Sequence, residues 1–285
     1  MNTDSATATH RVYQRSAPQP AGGWREMATG SDLGCPVRIR SLGRFGVQRD
    51  ERSLTSSTKA RHQRHLEILQ ALIALGGRGV HVELLSEALW PEADGDKAQS
   101  SFDVTLHRLR KMIELKDVIL VNNRRVTLNN KLVWVDVWEF ECSVNDAENL
   151  LERINEPGAL WELARNQQRL LSLYQGAFLE GESAGPWSLP LRERLRSKLL
   201  RHMLEAGRVW ESAGQWKQAI RCYRKGLEID PLFESLYERL MLCLRQTGQI
   251  SQALTTYQRC RAILLEQFEI EPCRATNQLY LSLTA

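Results

Sequence analysis

The chain has 285 residues, with 38 Lys and Arg against 34 Asp and Glu and a formal net charge of +4. That balance excludes a wholly basic DNA-packing protein and an acidic disordered tail, while 42% hydrophobic residues supply enough apolar material for a buried core. The surplus is local: residues 37–140 carry 17 basic and 13 acidic side chains, whereas the segments on either side are balanced. A polyanion partner is therefore to be sought there.

Residues 1–36 are rich in Ser, Thr, Ala, Pro and Gly without hydrophobic period, and are expected to form a flexible N-terminal tail, too short for a phosphorylation-receiver domain. Val37, Ile39 and Leu42, then Phe45 and Val47, predict two short strands about a Gly43 turn. A helix is expected from about Lys59 to Leu75, with Leu66, Leu69, Leu72 and Ile73 on one face and a stop at Gly76-Gly77. A second runs over Val82–Leu89 and a third from about Lys97 to Leu115. Beyond it, Val118–Val121, Arg125–Leu128 and Lys131–Val135 are β-prone runs separated by Asn122-Asn123 and Asn129-Asn130, dipeptides that tolerate the positive φ of tight turns. Strands, three helices and a hairpin make the order of a winged helix-turn-helix over 37–141.

Residues 142–285 have an all-helical pattern. Gly214, Gln215, Gln218, Ala219 and Tyr223 recur as Gly248, Gln249, Gln252, Ala253 and Tyr257, each displaced by 34 residues, the tetratricopeptide period. Tyr223, Tyr257, Trp210 and Trp216 are expected in the core between helices. The fold class is thus mainly α with a small β component, a winged helix followed by a tetratricopeptide-like helical domain.

The sequence has no phosphate loop, dinucleotide fingerprint, nucleophile elbow or His-Glu-x-x-His motif, and no enzyme activity is expected. Ser56 and Lys59 have a Ser-x-x-Lys spacing without its supporting motifs, and Ser57 or Thr58 reads better as a helix cap. His62 and His65 share a helix face with no further ligand, and the six cysteines stand singly, so neither a metal nor another cofactor is expected. No apolar run is long enough to span a bilayer and no secretory signal is evident, which predicts a cytoplasmic protein with no membrane contact.

On a helical wheel, Phe102, Leu106, Leu109 and Ile113 make one buried stripe in the third helix. Opposite lie Lys97, Ser100, Val104, His107, Arg108 and Lys111, with Ser101 beside them. Cations, hydroxyls and one small apolar group suit a major groove, where Arg and Lys meet guanine or phosphate and Val meets a thymine methyl. A solvated basic face is the alternative reading. Arg124 and Arg125 at the wing tip suit a minor groove or phosphates, and Arg61 and Arg64 are candidate phosphate clamps.

FDVTLHRLRK at 102–111 resembles the recognition helix of OmpR-type winged-helix regulators. With LYQGAFLEGE at 173–182, PWSLPLRERLR at 186–196 and the later repeats, the chain is similar to SARP-type bacterial regulators, which carry a bacterial transcriptional activator domain. The resemblance implies a transcription factor that binds direct-repeat sites on double-stranded DNA as a homodimer and contacts RNA polymerase. It carries over Val104, Thr105, Arg108 and Lys111 on the reading helix and Arg124 and Arg125 on the wing, and it places Glu92, Asp94 and Asp96 in the loop that turns toward polymerase. The wing departs from the pattern, reading NNRRVTL where OmpR-type proteins have a Gly-rich tip. A protein-interaction adaptor whose winged helix does not touch DNA is the rival reading.

Overall fold

The computed structural model describes residues 34–55, 60–182 and 184–284. Nearly all of the expected tail lies outside them, as do Ser56, Ser57, Thr58 and Lys59 and the side chains of Arg61 and His62. In chain order the N-terminal elements are strands β1 (Val37–Arg40), β2 (Gly46–Arg49) and β3 (Arg52–Ser53), helix α1 (Ala60–Ala74), β4 (Val80–His81), helices α2 (Val82–Leu89) and α3 (Gly95–Ile113), then β5 (Ile119–Asn122), β6 (Arg125–Leu128) and β7 (Val133–Val135). Seven helices follow among the described residues: α4 (Asp136–Glu152), α5 (Ala159–Leu173), α6 (Leu189–Ser212), α7 (Trp216–Ile229), α8 (Glu234–Gln246), α9 (Ile250–Phe268) and α10 (Arg274–Thr284). The fold is mainly α with a small β component, as expected.

The described residues form two compact units: those up to Ser143 with those of Arg169–Leu195, and Val144–Gln168 with those from Arg196 onward. The sequence places one boundary near 141; the structure adds a return of 169–195 to the first unit. The reason is backbone pairing across the chain. Ala177 and Ser41 carbonyls accept from the amides of Gly43 (3.0 Å) and Leu179 (2.8 Å), and Leu42 and Phe178 bridge antiparallel. The LYQGAFLEGE segment thus docks on the turn between β1 and β2, where its backbone groups find partners.

In the first unit the strands run β3-β2-β1-β7, with β1 antiparallel to β2 and parallel to β7. The third β-prone run after α3 therefore leaves the hairpin for the N-terminal sheet. Val37, Ile39 and Val47 point inward and are fully buried, as period-two alternation requires. Helix α1 buries Leu66, Leu69, Leu72 and Ile73, and also Ile68 and Ala71, because α2, α3 and the short turn at Pro186–Ser188 all pack on it. At the start of α4 the buried Asp136 carboxylate accepts from Ser41 N (2.6 Å), Ser41 Oγ (2.8 Å), Leu42 N (2.7 Å) and Val137 N (2.8 Å). Burial raises its pKa, and these four donors oppose the rise.

The second unit repeats its corners. Gly214 and Gly248 adopt φ of 68° and 71°, and the following Gln215 and Gln249 sit at φ/ψ of −86°/58° and −88°/54°. Gln215 N donates to Trp210 O and Gln249 N to Leu244 O, both at 2.8 Å, so the 34-residue displacement extends to the hydrogen bonds. Glycine serves there because left-handed backbone costs other residues energy. Ala219 and Ala253 are fully buried, Tyr223, Tyr257 and Trp210 are in the core and Trp216 packs against it. Close approach also explains Gly207, where a Cβ would stand 2.2 Å from the Tyr223 ring. The Tyr223 hydroxyl and the Arg239 guanidinium both donate to Glu211, one carboxylate joining α6, α7 and α8.

His202 in α6 is 3% exposed, and neither ring nitrogen has a hydrogen-bond partner among the described residues. Burial lowers its pKa from 6.5 to about 4. The folded ring stays neutral while the unfolded ring takes a proton, so its cost is absent above pH 6.5 and grows as pH falls toward 4. Stability is expected to drop by about 3 kcal/mol across that window. Urea titrations at pH 7.5 and 4.5 check this: His202→Leu should flatten the difference, and an equal loss in both proteins would refute it.

Candidate nucleic-acid interface

Helix α3 is anchored by groups that sequence reading leaves undistinguished. Arg110 Nη2 donates to Ile119 O (2.6 Å), and Arg49 Nη1 donates to Ile113 O (3.1 Å) and pairs with Glu114 (2.6 Å). Glu114 closes the helix in the left-handed region at φ 58°. Phe102, Leu106, Leu109 and Ile113, each at most 4% exposed, bind the helix to the core, so its outer face is set from both the apolar side and the C-terminus.

That outer face presents Lys97, Ser100, Val104, His107, Arg108 and Lys111, all exposed, with Ser101 half-buried. Val104 is 48% exposed, an apolar group left in water among polar neighbours. Thr105 stands apart from the rest: it is buried, and its hydroxyl donates to Ser101 O (2.6 Å). Between the start of α1 and α3 lies a cleft of about 440 Å3, lined by Arg64, Trp90, Ser100, Val104 and Arg108 among others. Trp90, the residue that caps the end of α2, forms part of the cleft wall. Arg108 and Lys111 have no ion pair among the described residues, whereas Lys97 Nζ stands 3.4 Å from Asp94. Glu92, Asp94 and Asp96 are exposed at the loop and first turn leading into α3, and Asp94 is its N-cap residue without a side-chain capping bond.

The wing is the hairpin β5–β6. Pairing buried Ile119 with buried Leu128 fixes the register, and Asn122 then faces Arg125. The two-residue turn is therefore Asn123-Arg124, at φ 48° and 58°, one residue later than the Asn-Asn dipeptide suggests. Both arginines turn back toward their own domain. Arg124 Nε is 2.7 Å from Glu83 Oε1, Arg124 O accepts from Val82 N (2.9 Å), and Arg125 Nη1 donates to Gly79 O (2.9 Å). The Glu83 carboxyl is held below the usual range, mainly by the hydrogen bond at its own amide and further by Arg124 and His81.

Residues 135–283 match the family model of the bacterial transcriptional activator domain. The chain belongs to that family. This activator-domain protein is also 26% identical over 246 residues to the regulatory protein AfsR of Streptomyces coelicolor, an alignment covering 85% of the chain and 24% of AfsR. It thus spans about a quarter of that relative's length. Among solved structures, EmbR of Mycobacterium tuberculosis, determined in complex with a low-affinity phosphopeptide, matches with a TM-score of 0.66 at 19% identity, over 87% of this chain and 65% of that one. That likeness concerns the fold. Together these similarities bear out the SARP-type resemblance. Among the described residues, no helix of this activator-domain protein is long and apolar enough to cross a membrane.

Proposed function

We propose that this activator-domain protein is a sequence-specific DNA-binding transcriptional regulator that binds promoter direct repeats as a homodimer and activates through RNA polymerase. The observation that carries the reading is the outer face of α3, where Arg108 and Lys111 stand without ion pairs beside Ser100 and exposed Val104. In a major groove the guanidinium meets a guanine edge bidentately, Lys111 meets phosphate, Ser100 meets a base edge and Val104 a thymine methyl. Arg64, across the cleft, grips the flanking phosphate. Membership of the activator-domain family supports the transcriptional half of the reading.

Precipitation of the tagged protein with its crosslinked DNA, followed by sequencing, is the test. Sharp peaks holding spaced direct repeats are expected; a flat profile with co-purifying proteins would favour the adaptor reading instead. The acidic loop supplies the polymerase contact in this proposal. Because Asp94 pairs with Lys97, the clean variant is Glu92→Ala with Asp96→Ala. In vitro transcription should then fall while DNA affinity holds, and full activation by that variant would remove the contact.

A further inference from the structure

Glu83 lies at the start of α2 and pairs with the wing, 2.7 Å from Arg124 Nε, while its second oxygen is 3.9 Å from His81 Nδ1. The pairing is built into the backbone. The turn places Arg124 at φ 58°, its carbonyl is tied to Val82 N at 2.9 Å, and β4 pairs with β6 through His81 and Arg125. The backbones of Arg124 and Glu83 are thereby held side by side, which puts the carboxylate within reach of the guanidinium. A wing arginine that has a carboxylate partner in the free protein must exchange it for a phosphate on binding, and the carboxylate then remains beside the DNA backbone. Both effects weaken the sequence-independent part of binding, which comes from cations displacing counterions. Contacts from α3 are untouched by either.

We propose that Glu83 is a positioning residue that restrains the wing, lowering affinity for DNA of any sequence so that discrimination rests on α3. The inference rests on the DNA-binding reading above. It separates two roles that the sequence shows as one cationic surface: Arg108 reads, and Arg124 is held in reserve. Exposed ion pairs are weak, so the restraint is mild. Its effect falls on the ratio between specific and non-specific binding, which decides occupancy where wrong sites far outnumber right ones.

The test uses the full chain and a labelled duplex of scrambled sequence, titrated by anisotropy over a range of salt. Glu83→Gln should bind about two- to fivefold more tightly at low salt, and the slope of log K against log salt should steepen by about 0.9, one added phosphate contact. Adding Arg124→Ala to Glu83→Gln should abolish that gain. Glu87→Gln makes the same charge change one turn along α2, at an exposed position, and should leave the slope alone. A slope unchanged by Glu83→Gln, or moved equally by Glu87→Gln, overturns the proposal while the DNA reading survives. A wild-type chain with no affinity for any duplex overturns both. Thermal melts matching the wild type establish that each variant is folded.

Discussion

Replacing Arg108 with alanine is expected to weaken binding to a cognate promoter site by about 1–3 kcal/mol, roughly five- to 150-fold. The guanidinium is exposed on the outer face of α3 with no ion pair among the described residues, so no intramolecular partner has to be given up. Its backbone is held by the buried stripe on the opposite side. Arg108→Lys sharpens the outcome, because an ammonium keeps a phosphate contact but cannot make two parallel hydrogen bonds to guanine. If lysine restores affinity, Arg108 grips the backbone; if only arginine serves, it reads a base. Anisotropy titrations on a site recovered from the genome decide, and unchanged affinity in the alanine variant would take Arg108 out of the reading set. Arg110, two residues on, is no substitute, since its guanidinium is bound to the Ile119 carbonyl.

Asp136→Ala is expected to lower stability by about 4 kcal/mol, because the amides of Ser41 and Leu42 each lose a buried acceptor at about 1–3 kcal/mol apiece and the Ser41 hydroxyl loses a third bond. The same amides belong to the turn on which the 173–182 segment docks, so the loss reaches residues distant in sequence. Asp136→Asn keeps one acceptor oxygen and should cost less. Urea unfolding followed by circular dichroism gives the comparison, and a midpoint unmoved by the alanine change would refute the role assigned to this carboxylate.

Local patterns in the chain were legible and distant pairings were not. The apolar stripe of α3 and the 34-residue repeat are written in residues a few positions apart, and both helix faces and corner glycines follow from them. Thr105 shows where a resemblance and a wheel diverge: it lies about 60° from Phe102 at 100° per residue, next to the buried stripe, and its hydroxyl serves the helix backbone. The anchoring arginines, Arg49 and Arg110, look the same in sequence as the cations of the outer face, because what distinguishes them is a carbonyl supplied by another element. The wing turn moved by one residue for a similar reason, since register follows the burial of Ile119 and Leu128 and not the preference of two asparagines. Likewise LYQGAFLEGE could be recognised as a motif, but its pairing with residues 41–43 joins segments more than 130 residues apart.

The matched corners at Gly214 and Gly248 also bear on how this architecture tolerates change in length. Each corner is closed by the same backbone bonds in the same order, and each helix pair meets mainly the pair beside it. A block of 34 residues gained or lost between Gly214 and Gly248 would return the next helix to the same azimuth, with its alanine and tyrosine facing inward. A one-residue insertion within a helix would rotate everything beyond it by about 100° and turn that apolar edge toward water. The helical unit is thus quantised in length, open to growth by whole repeats and closed to most other insertions.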